Sequence, residues 1–423
     1  MKSITSEKIK MGMLLKLLVL IIPVAFLFPS MIVGGVGFKL DLPLVLLVFF
    51  LMIVVYPKYF YDNVVKSILS IVVIVFFSML ISDSFGNYYY SIGDYPHFPS
   101  EYIHFFSKAI AFVCFYFVTK NRFISAKLLH KIFIGVFGIG LLFGVGQVLG
   151  ISLISTISKI YALSENQVYG ISSVNTRIFG VSGNILSWAG ISGVIFLYTF
   201  FFCKNTMLKY CMLLLSIVNV LFTASRSALI ALVISLFCYF ILKVILEKKY
   251  YKIINYVLSF VLAFVTLYYI GIVFFEERFV LIVERFEVLN EVMFTSGRYE
   301  QFSRINYLFT QDVFNVIFGI GKPVIDSMNL MEVEFFFIFF TYGIVGIFSQ
   351  YGFIFYIVHS VKKFKATPYS YFILTSLFFF FIFSFGYFFL REIYSGIIFW
   401  CLLGFVFGMH RISNVNNFKM NLK

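Results

Sequence analysis

Residues Met212–Leu242 read MLLLSIVNVLF, then TASRSALIAL, then VISLFCYFIL. Two apolar runs, each roughly long enough to cross about 30 Å of hydrocarbon, are separated by little except Ser225 and Arg226. An arginine at the centre of a span costs about 2.5–3.5 kcal/mol on insertion scales, and less near an end. Arg226 therefore marks a tip where one span stops and the next begins. The flanking Ser225 and Ser227 add hydroxyls beside it. A tight, re-entrant-like hairpin here would lift Arg226 to the floor of a cavity at the membrane face.

The rest of the chain has the same character. Of 423 residues, 61% are hydrophobic and 12% charged, with 60 Phe and 28 Tyr. Soluble domains are nearer half apolar and about a quarter charged, so a water-soluble core of this size is excluded. The expected fold class is all-α, a polytopic integral membrane protein with about twelve transmembrane helices. The twelve apolar stretches run over 12–35, 42–57, 67–83, 103–119, 132–154, 183–203, 207–224, 227–246, 253–275, 335–358, 369–390 and 393–409. Residues 1–423 read as a single membrane domain. A large external loop, 276–334, containing short amphipathic helices, lies between spans nine and ten.

Orientation follows from the basic residues. With the N-terminus in the cytoplasm, 22 of the 33 basic residues fall inside, against three acids (Glu7, Asp62 and Glu247). The external side carries the other 11 basic residues and 16 of the 19 acids, so the net +14 divides as +19 inside and −5 outside. Both termini are then cytoplasmic. The charge reports topology and attraction to anionic lipid, and nothing in it calls for nucleic acid. The first apolar run is too long for a cleaved signal and reads as an anchor.

One asymmetry is left over. Seven of the nine arginines are external: Arg177, Arg226, Arg278, Arg285, Arg298, Arg304 and Arg391. Twenty of the 24 lysines are internal. A planar guanidinium holds phosphate or carboxylate bidentately, whereas an ammonium offers a point charge. Pairing with external glutamates is the plain alternative for any one of these arginines.

Three long loops, 84–102, 155–182 and 276–334, share the external side. In the second, NTRIFGVSGNILSWAG (175–190) places Asn184 where it caps span six, and puts Arg177 just above that helix start, a position that favours an anion. In the third, EERFVLIVERFEVLNEV (276–292) is amphipathic. The segment TSGRYEQFSRINYLFTQDVFNVIFGIGKP (295–323) predicts a helix capped at Ser296 and ending at Gly319 and Gly321, with Arg298 in its first turn. Lys108 lies about one turn into span four, where it either snorkels to the surface or faces a wet cavity. Gly140 and Gly144, Gly146 and Gly150, and Gly404 and Gly408 repeat every four residues, as close-packing faces do. The five cysteines have neither metal nor disulfide spacing, and no cluster of Asp or His suggests a metal or other cofactor.

TRIFGVSGN, TASRSALIAL, SGRYEQFSRINYLF…VIFGIG and EVEFFFIFFTYGIVGIFSQYGFIFYI occur in the order seen in Wzy-type O-antigen polymerases and the related O-antigen ligases. The resemblance covers about residues 170–360; the early spans resemble that family only in hydropathy. It implies a multi-pass glycosyltransferase of the bacterial cytoplasmic membrane. Its donor and acceptor would be lipid-linked oligosaccharides on undecaprenyl pyrophosphate, and its partners a flippase and a chain-length regulator. By position, Arg177, Arg226 and Arg298 resemble the family's external arginines that hold pyrophosphate or sugar. Arg304, Arg278, Arg285, Arg391, Lys108 and Asn184 are further candidate substrate contacts. Ligases of the family typically use a histidine in the large external loop; residues 276–334 contain none, which favours a polymerase, although His97 in the first loop keeps the ligase open.

The chemistry can also be reasoned from the residues. A sugar already bonded to lipid pyrophosphate has a good leaving group and needs cations rather than a general acid. The acceptor hydroxyl needs a base, for which Glu332, Glu334 and Asp326 are the nearest external carboxylates, and the sequence does not choose among them. A flippase or other transporter is the reading from a different class. Twelve helices suit it, but matched halves with paired broken helices are missing from the sequence.

Overall fold

The computed structural model describes residues 2–33, 36–89, 100–162, 177–247, 305–307, 309–327, 333–362, 367–391 and 396–420, with the single positions 265, 269 and 273. The helices are α1 (Lys2–Ala25), α2 (Asp41–Val55), α3 (Asn63–Tyr89), α4 (Ser100–Lys120), α5 (Ala126–Val148), α6 (Ser152–Tyr161) and α7 (Ile185–Phe202). They continue with α8 (Thr206–Phe222), α9 (Arg226–Glu247), α10 (Val313–Phe318), α11 (Lys322–Ser327), α12 (Glu334–Lys362), α13 (Pro368–Phe383) and α14 (Ile398–Met420). Short 3₁₀ turns occupy Pro57–Tyr61 and Gly180–Ser182.

The architecture is all-α. Five segments are long and apolar enough to cross a membrane: Asn63–Gly86, Ala126–Val148, Ile185–Phe202, Arg226–Val244 and Glu334–Val361. Shorter apolar helices accompany them, among them Met11–Ala25, Asp41–Val55 and Thr206–Phe222. This is the make-up of a multi-pass membrane protein. Each expected span except the ninth coincides with a helix; 253–275 lies outside the described residues apart from three positions.

Three expected spans stop early, the fifth because α5 ends at Val148 rather than near residue 154, with a turn at 149–150 before α6. α1 ends at Ala25 rather than near residue 35, and Met31–Val33 pairs antiparallel with Val36–Phe38. The run MIVGGVGF is apolar but carries β-branched residues either side of a Gly-Gly pair, a hairpin signal that average hydropathy hides. α13 ends at Phe383 rather than near 390, and residues 384–391 are not helical.

The chain divides into two compact units. The first comprises Met1–Val136, Ser296–Lys365 and Ser384–Lys423; the second comprises Phe137–Thr295 and Ala366–Phe383. In the first, α4 is the central helix, buried continuously from Ala109 to Thr119. It packs against α14, where a side chain at Gly404 would run into the Phe112 backbone and one at Gly408 would meet Thr119 and the Tyr116 carbonyl. The Gly404/Gly408 repeat is thus a close-packing seam. Phe353 and Phe389 stack on Trp400 at 5.2 and 5.1 Å between ring centroids.

α12 is broken. Gly343 has φ 64° and ψ −164° inside it, which strips the turn above of its regular partners. The backbone of 320–321 replaces them: Ile320 N–H donates to the Phe340 carbonyl (2.9 Å) and Gly321 N–H to the Thr341 carbonyl (3.0 Å). Backbone polar groups at this depth must be satisfied within the protein, so the break and the docked segment require each other. Ser82 donates to the Phe318 carbonyl, and Asp83 accepts from Lys322 N–H (2.9 Å) and from the Tyr102 hydroxyl. Ile320, Val324 and Ile325 are buried. The end of the expected external loop is therefore packed into the first unit. The helix expected to run on to Gly319 is also interrupted. Residues Thr310 and Gln311 form a turn, and Asp312 starts α10 by accepting from Phe314 N–H (2.9 Å).

Asp62, just before α3, accepts from Val64 N–H (2.8 Å) and pairs with Lys120 at the end of α4. Partial burial pushes its carboxyl up, but the Lys120 hydrogen bond and charge, with the N–H groups of Val64 and Val65, bring it below the ordinary carboxylate value. A lowered folded-state pKa stabilises above the unfolded value of about 3.9 and is lost as pH falls. Solvent screens this pair, so Asp62→Asn should cost about 0.2–1 kcal/mol at pH 7 and less at a pH well under the ordinary carboxylate value of about 3.9. Detergent-solubilised melting at both pH values checks this, and an equal cost at both would refute it.

In the second unit α7 is buried from Ser187 to Thr199. Trp188 Nε1 donates to Asn219 Oδ1 (2.8 Å), and Asn219 Nδ2 donates to the carbonyls of Leu141 (3.1 Å) and Leu215 (2.8 Å). This network ties α5, α7 and α8 together. A side chain at Gly144 would overlap Asn219, and one at Gly140 would press on Trp188. The Gly140/Gly144 pair seats those two side chains.

Candidate functional site

The α8–α9 junction is as tight as the sequence suggested, with only Thr223, Ala224 and Ser225 between the helices. Ala224 takes φ +48°, a left-handed conformation uncommon for a residue with a Cβ. Its N–H donates to the Leu221 carbonyl (2.8 Å). Ser225 caps α9: Ala228 N–H reaches Ser225 Oγ at 3.4 Å and Leu229 N–H reaches its carbonyl at 3.2 Å. The Ser225 and Ser227 hydroxyls lie 3.3 Å apart.

Arg226 is thus the first residue of a 22-residue helix and half-buried. The helix dipole opposes a cation there and favours an anion, so an anion shared between the side chain and the helix end relieves the conflict.

Arg177 arrives at the same turn. Its Nε donates to the Thr223 carbonyl (2.6 Å), and Ile178 N–H donates to the Phe222 carbonyl (3.2 Å). The expectation set Arg177 above the start of span six. Instead its side chain reaches the C-terminal end of α8, where the dipole favours a cation. Arg177 thus binds the first residue of the turn whose other end leads into Arg226, and Thr223, Ser225 and Ser227 supply hydroxyls along it.

Asn184 caps α7 as expected, accepting from Leu186 N–H (3.0 Å) and Ser187 N–H (3.1 Å). Its carboxamide oxygen is therefore engaged in the fold. Ser182 Oγ lies 2.9 Å from the Phe179 carbonyl and shapes the loop before it. On the other side of that loop, Gln147 of α5 accepts from Phe179 N–H (3.3 Å) and Gly180 N–H (2.9 Å). Gln147, a lone amide at the end of an apolar run, carries no signal in the sequence that singles it out.

A second polar group lies in the first unit. Glu334, fully buried at the start of α12, accepts from Arg391 N–H (2.9 Å), and Glu334 N–H donates to the Ser384 carbonyl (3.2 Å). The Arg391 guanidinium lies over Phe337, 3.2 Å from the ring centroid, and 4.8 Å from that of Phe388. Lys108 donates to the Leu390 carbonyl and is 2% exposed. Lys108 therefore does not snorkel: the non-helical 384–391 segment brings a carbonyl to it inside the unit. Lys108, Glu334 and Arg391, hundreds of residues apart in part, are assembled around that segment.

Arg278, Arg285, Arg298, Arg304 and Glu332 lie outside the described residues. Among the described residues, no group of three or more His, Cys, Asp or Glu side chains is placed to hold a metal ion.

Comparison of the chain with protein-family models and with curated proteins returns no match.

Proposed function

We propose that the protein is a membrane glycosyltransferase that polymerises lipid-linked oligosaccharide repeat units. The observation that carries this reading is Arg177 bound to the α8–α9 turn at Thr223, three residues before Arg226 begins α9. That arrangement suits a diphosphate. On the orientation given by the charge split, the turn faces the external side, which has no supply of nucleotide sugars, so the donor carries its own activation as a lipid pyrophosphate.

In the reaction an acceptor hydroxyl of the incoming repeat attacks the anomeric carbon of the growing glycan. The anomeric carbon–oxygen bond to pyrophosphate breaks, its electron pair leaves on the undecaprenyl pyrophosphate, and the hydroxyl proton passes to a base. The arginines stabilise the departing negative charge, the term that usually dominates such a step. Flippase and chain-length regulator proteins of the bacterial cytoplasmic membrane are the expected partners.

The broken α12 favours the transporter reading, because discontinuous helices build many transport sites. Against it, the Phe340 and Thr341 carbonyls already accept from Ile320 and Gly321, leaving those two atoms engaged rather than turned to an ion. Deletion of the gene separates the readings. Under the polymerase reading, single lipid-linked repeat units accumulate on the external leaflet while their synthesis and flipping continue. Units held on the cytoplasmic leaflet would establish a flippase instead.

A further inference from the structure

We propose that Gln147 is a positioning residue that sets the Arg177 loop from below and couples it to α6. The inference rests on the polymerase reading only for its activity assays.

Gln147 sits in the last turn of α5 and uses both ends of its carboxamide. Oε1 accepts from Phe179 N–H and Gly180 N–H, at 3.3 and 2.9 Å. Nε2 donates to Ser158 Oγ at 2.8 Å. The two roles fix the amide: only its oxygen can receive the two backbone N–H groups, and only its nitrogen can donate to the serine.

Ser158 is fully buried, whereas Leu153 and Ile160 of the same short helix are each 67% exposed. α6 thus turns Ser158 inward and Leu153 and Ile160 outward, while Ile154 packs on Gly146. The chain reverses into it at Gly150, with Ile151 N–H donating to the Gly146 carbonyl (3.1 Å).

Two residues before Phe179, Arg177 donates to Thr223 and Ile178 to Phe222. The 177–180 loop is therefore held on one side by the end of α8 and on the other by Gln147. With the Gln147 side removed, the loop backbone loses two hydrogen bonds, and Arg177 Nε must hold its place against a freer main chain. A guanidinium displaced by about 1 Å can lose about 100-fold in rate.

The full-length protein in nanodiscs, with undecaprenyl-pyrophosphate-linked repeat units as substrate, tests this with two variants. Gln147→Met keeps length and bulk but replaces the carboxamide with a thioether, which donates nothing and accepts only weakly. Gln147→Glu still accepts both backbone N–H groups, and the Ser158 hydroxyl can rotate to donate to it. The Met variant is expected to lower kcat/KM by roughly 10- to 100-fold while still folding and inserting, with a lower melting temperature from the two unpaired buried N–H groups, and the Glu variant to stay close to the parent. In an Arg177→Lys background the Met substitution should add almost nothing, because it acts through Arg177. Full additivity of the two substitutions, or parental activity of the Met variant, overturns the proposal.

A readout independent of turnover accompanies these. Solvent exchange of the Arg177 Nε–H, followed by NMR on arginine-labelled protein, should accelerate in Gln147→Met and remain slow in Gln147→Glu. Unchanged exchange in the Met variant overturns the positioning role whatever the activity. Accelerated exchange in a protein whose parent form makes no polymer leaves the positioning role standing and removes the polymerase reading.

Discussion

Arg226→Lys is expected to reduce polymer output by about 100- to 1000-fold at matched protein level, the loss of roughly 2.7–4 kcal/mol seen when a donor made for the transition state is removed. Arg226 is the first residue of α9, capped by Ser225 and joined through a three-residue turn to the carbonyl that Arg177 holds. Lysine keeps the charge at this position, so the electrostatic cost of a cation on a helix N-terminus stays the same. What changes is the geometry: a planar fork that can grip two phosphate oxygens becomes a single point charge. If Arg226 only anchors the hairpin at the headgroups, lysine serves nearly as well. Polymer from the lysine variant at parental levels, with membrane insertion confirmed, would therefore reduce Arg226 to an anchor.

The second large effect concerns the fold. Gly343→Ala is expected to destabilise the protein by at least about 3 kcal/mol, because two costs combine. The backbone there, with φ 64° and ψ −164°, belongs to a region essentially reserved for glycine, worth about 1–3 kcal/mol. An added Cβ would also strike the Ile317 carbonyl and the Gly319 nitrogen, which are backbone atoms that cannot rotate away. Straightening α12 would remove the clash but strand the N–H groups of Ile320 and Gly321, at about 1–3 kcal/mol for each buried unsatisfied group. Gly352 in the same helix is the control. A side chain there meets nothing within 4 Å, so Gly352→Ala should be neutral or stabilising by up to about 1 kcal/mol. Thermal unfolding of both variants in one detergent decides the matter; equal melting of Gly343→Ala and the parent would show that the break is not required.

Much of the local structure was legible in the residues. The cap at Asn184 has its mechanism in the side chain itself. The tight junction at Ser225–Arg226 was visible because a cation interrupts two greasy runs. The four-residue glycine spacing of α14 declared a close-packed seam without naming its partner. Hydropathy failed where apolar residues form something other than a helix, at 31–38 and 384–391, because averaging over a window discards the period and the breakers.

The candidate site divides along the same line. That arginines collect on one side of the chain was readable from composition, and Arg226 from its position between spans. That Arg177 reaches the end of α8, rather than the start of α7, depended on a hydrogen bond across 46 residues.

The sequence by itself determined that the chain is mainly α-helical and apolar enough for a membrane, where about half of its expected spans begin and end, and which polar residues are costly enough in lipid to need a reason. Tertiary structure alone decided which of those residues meet. Gln147 joins the Arg177 loop, Lys108 and Arg391 gather around Glu334, and the 319–321 segment fills the break in α12. The physical reason is common to all three. Each depends on a backbone N–H or carbonyl left unpaired by a turn or a helix break, and every residue type carries those groups except proline at its nitrogen. Side-chain identity does not say which of them will be left over, or what will come to satisfy it.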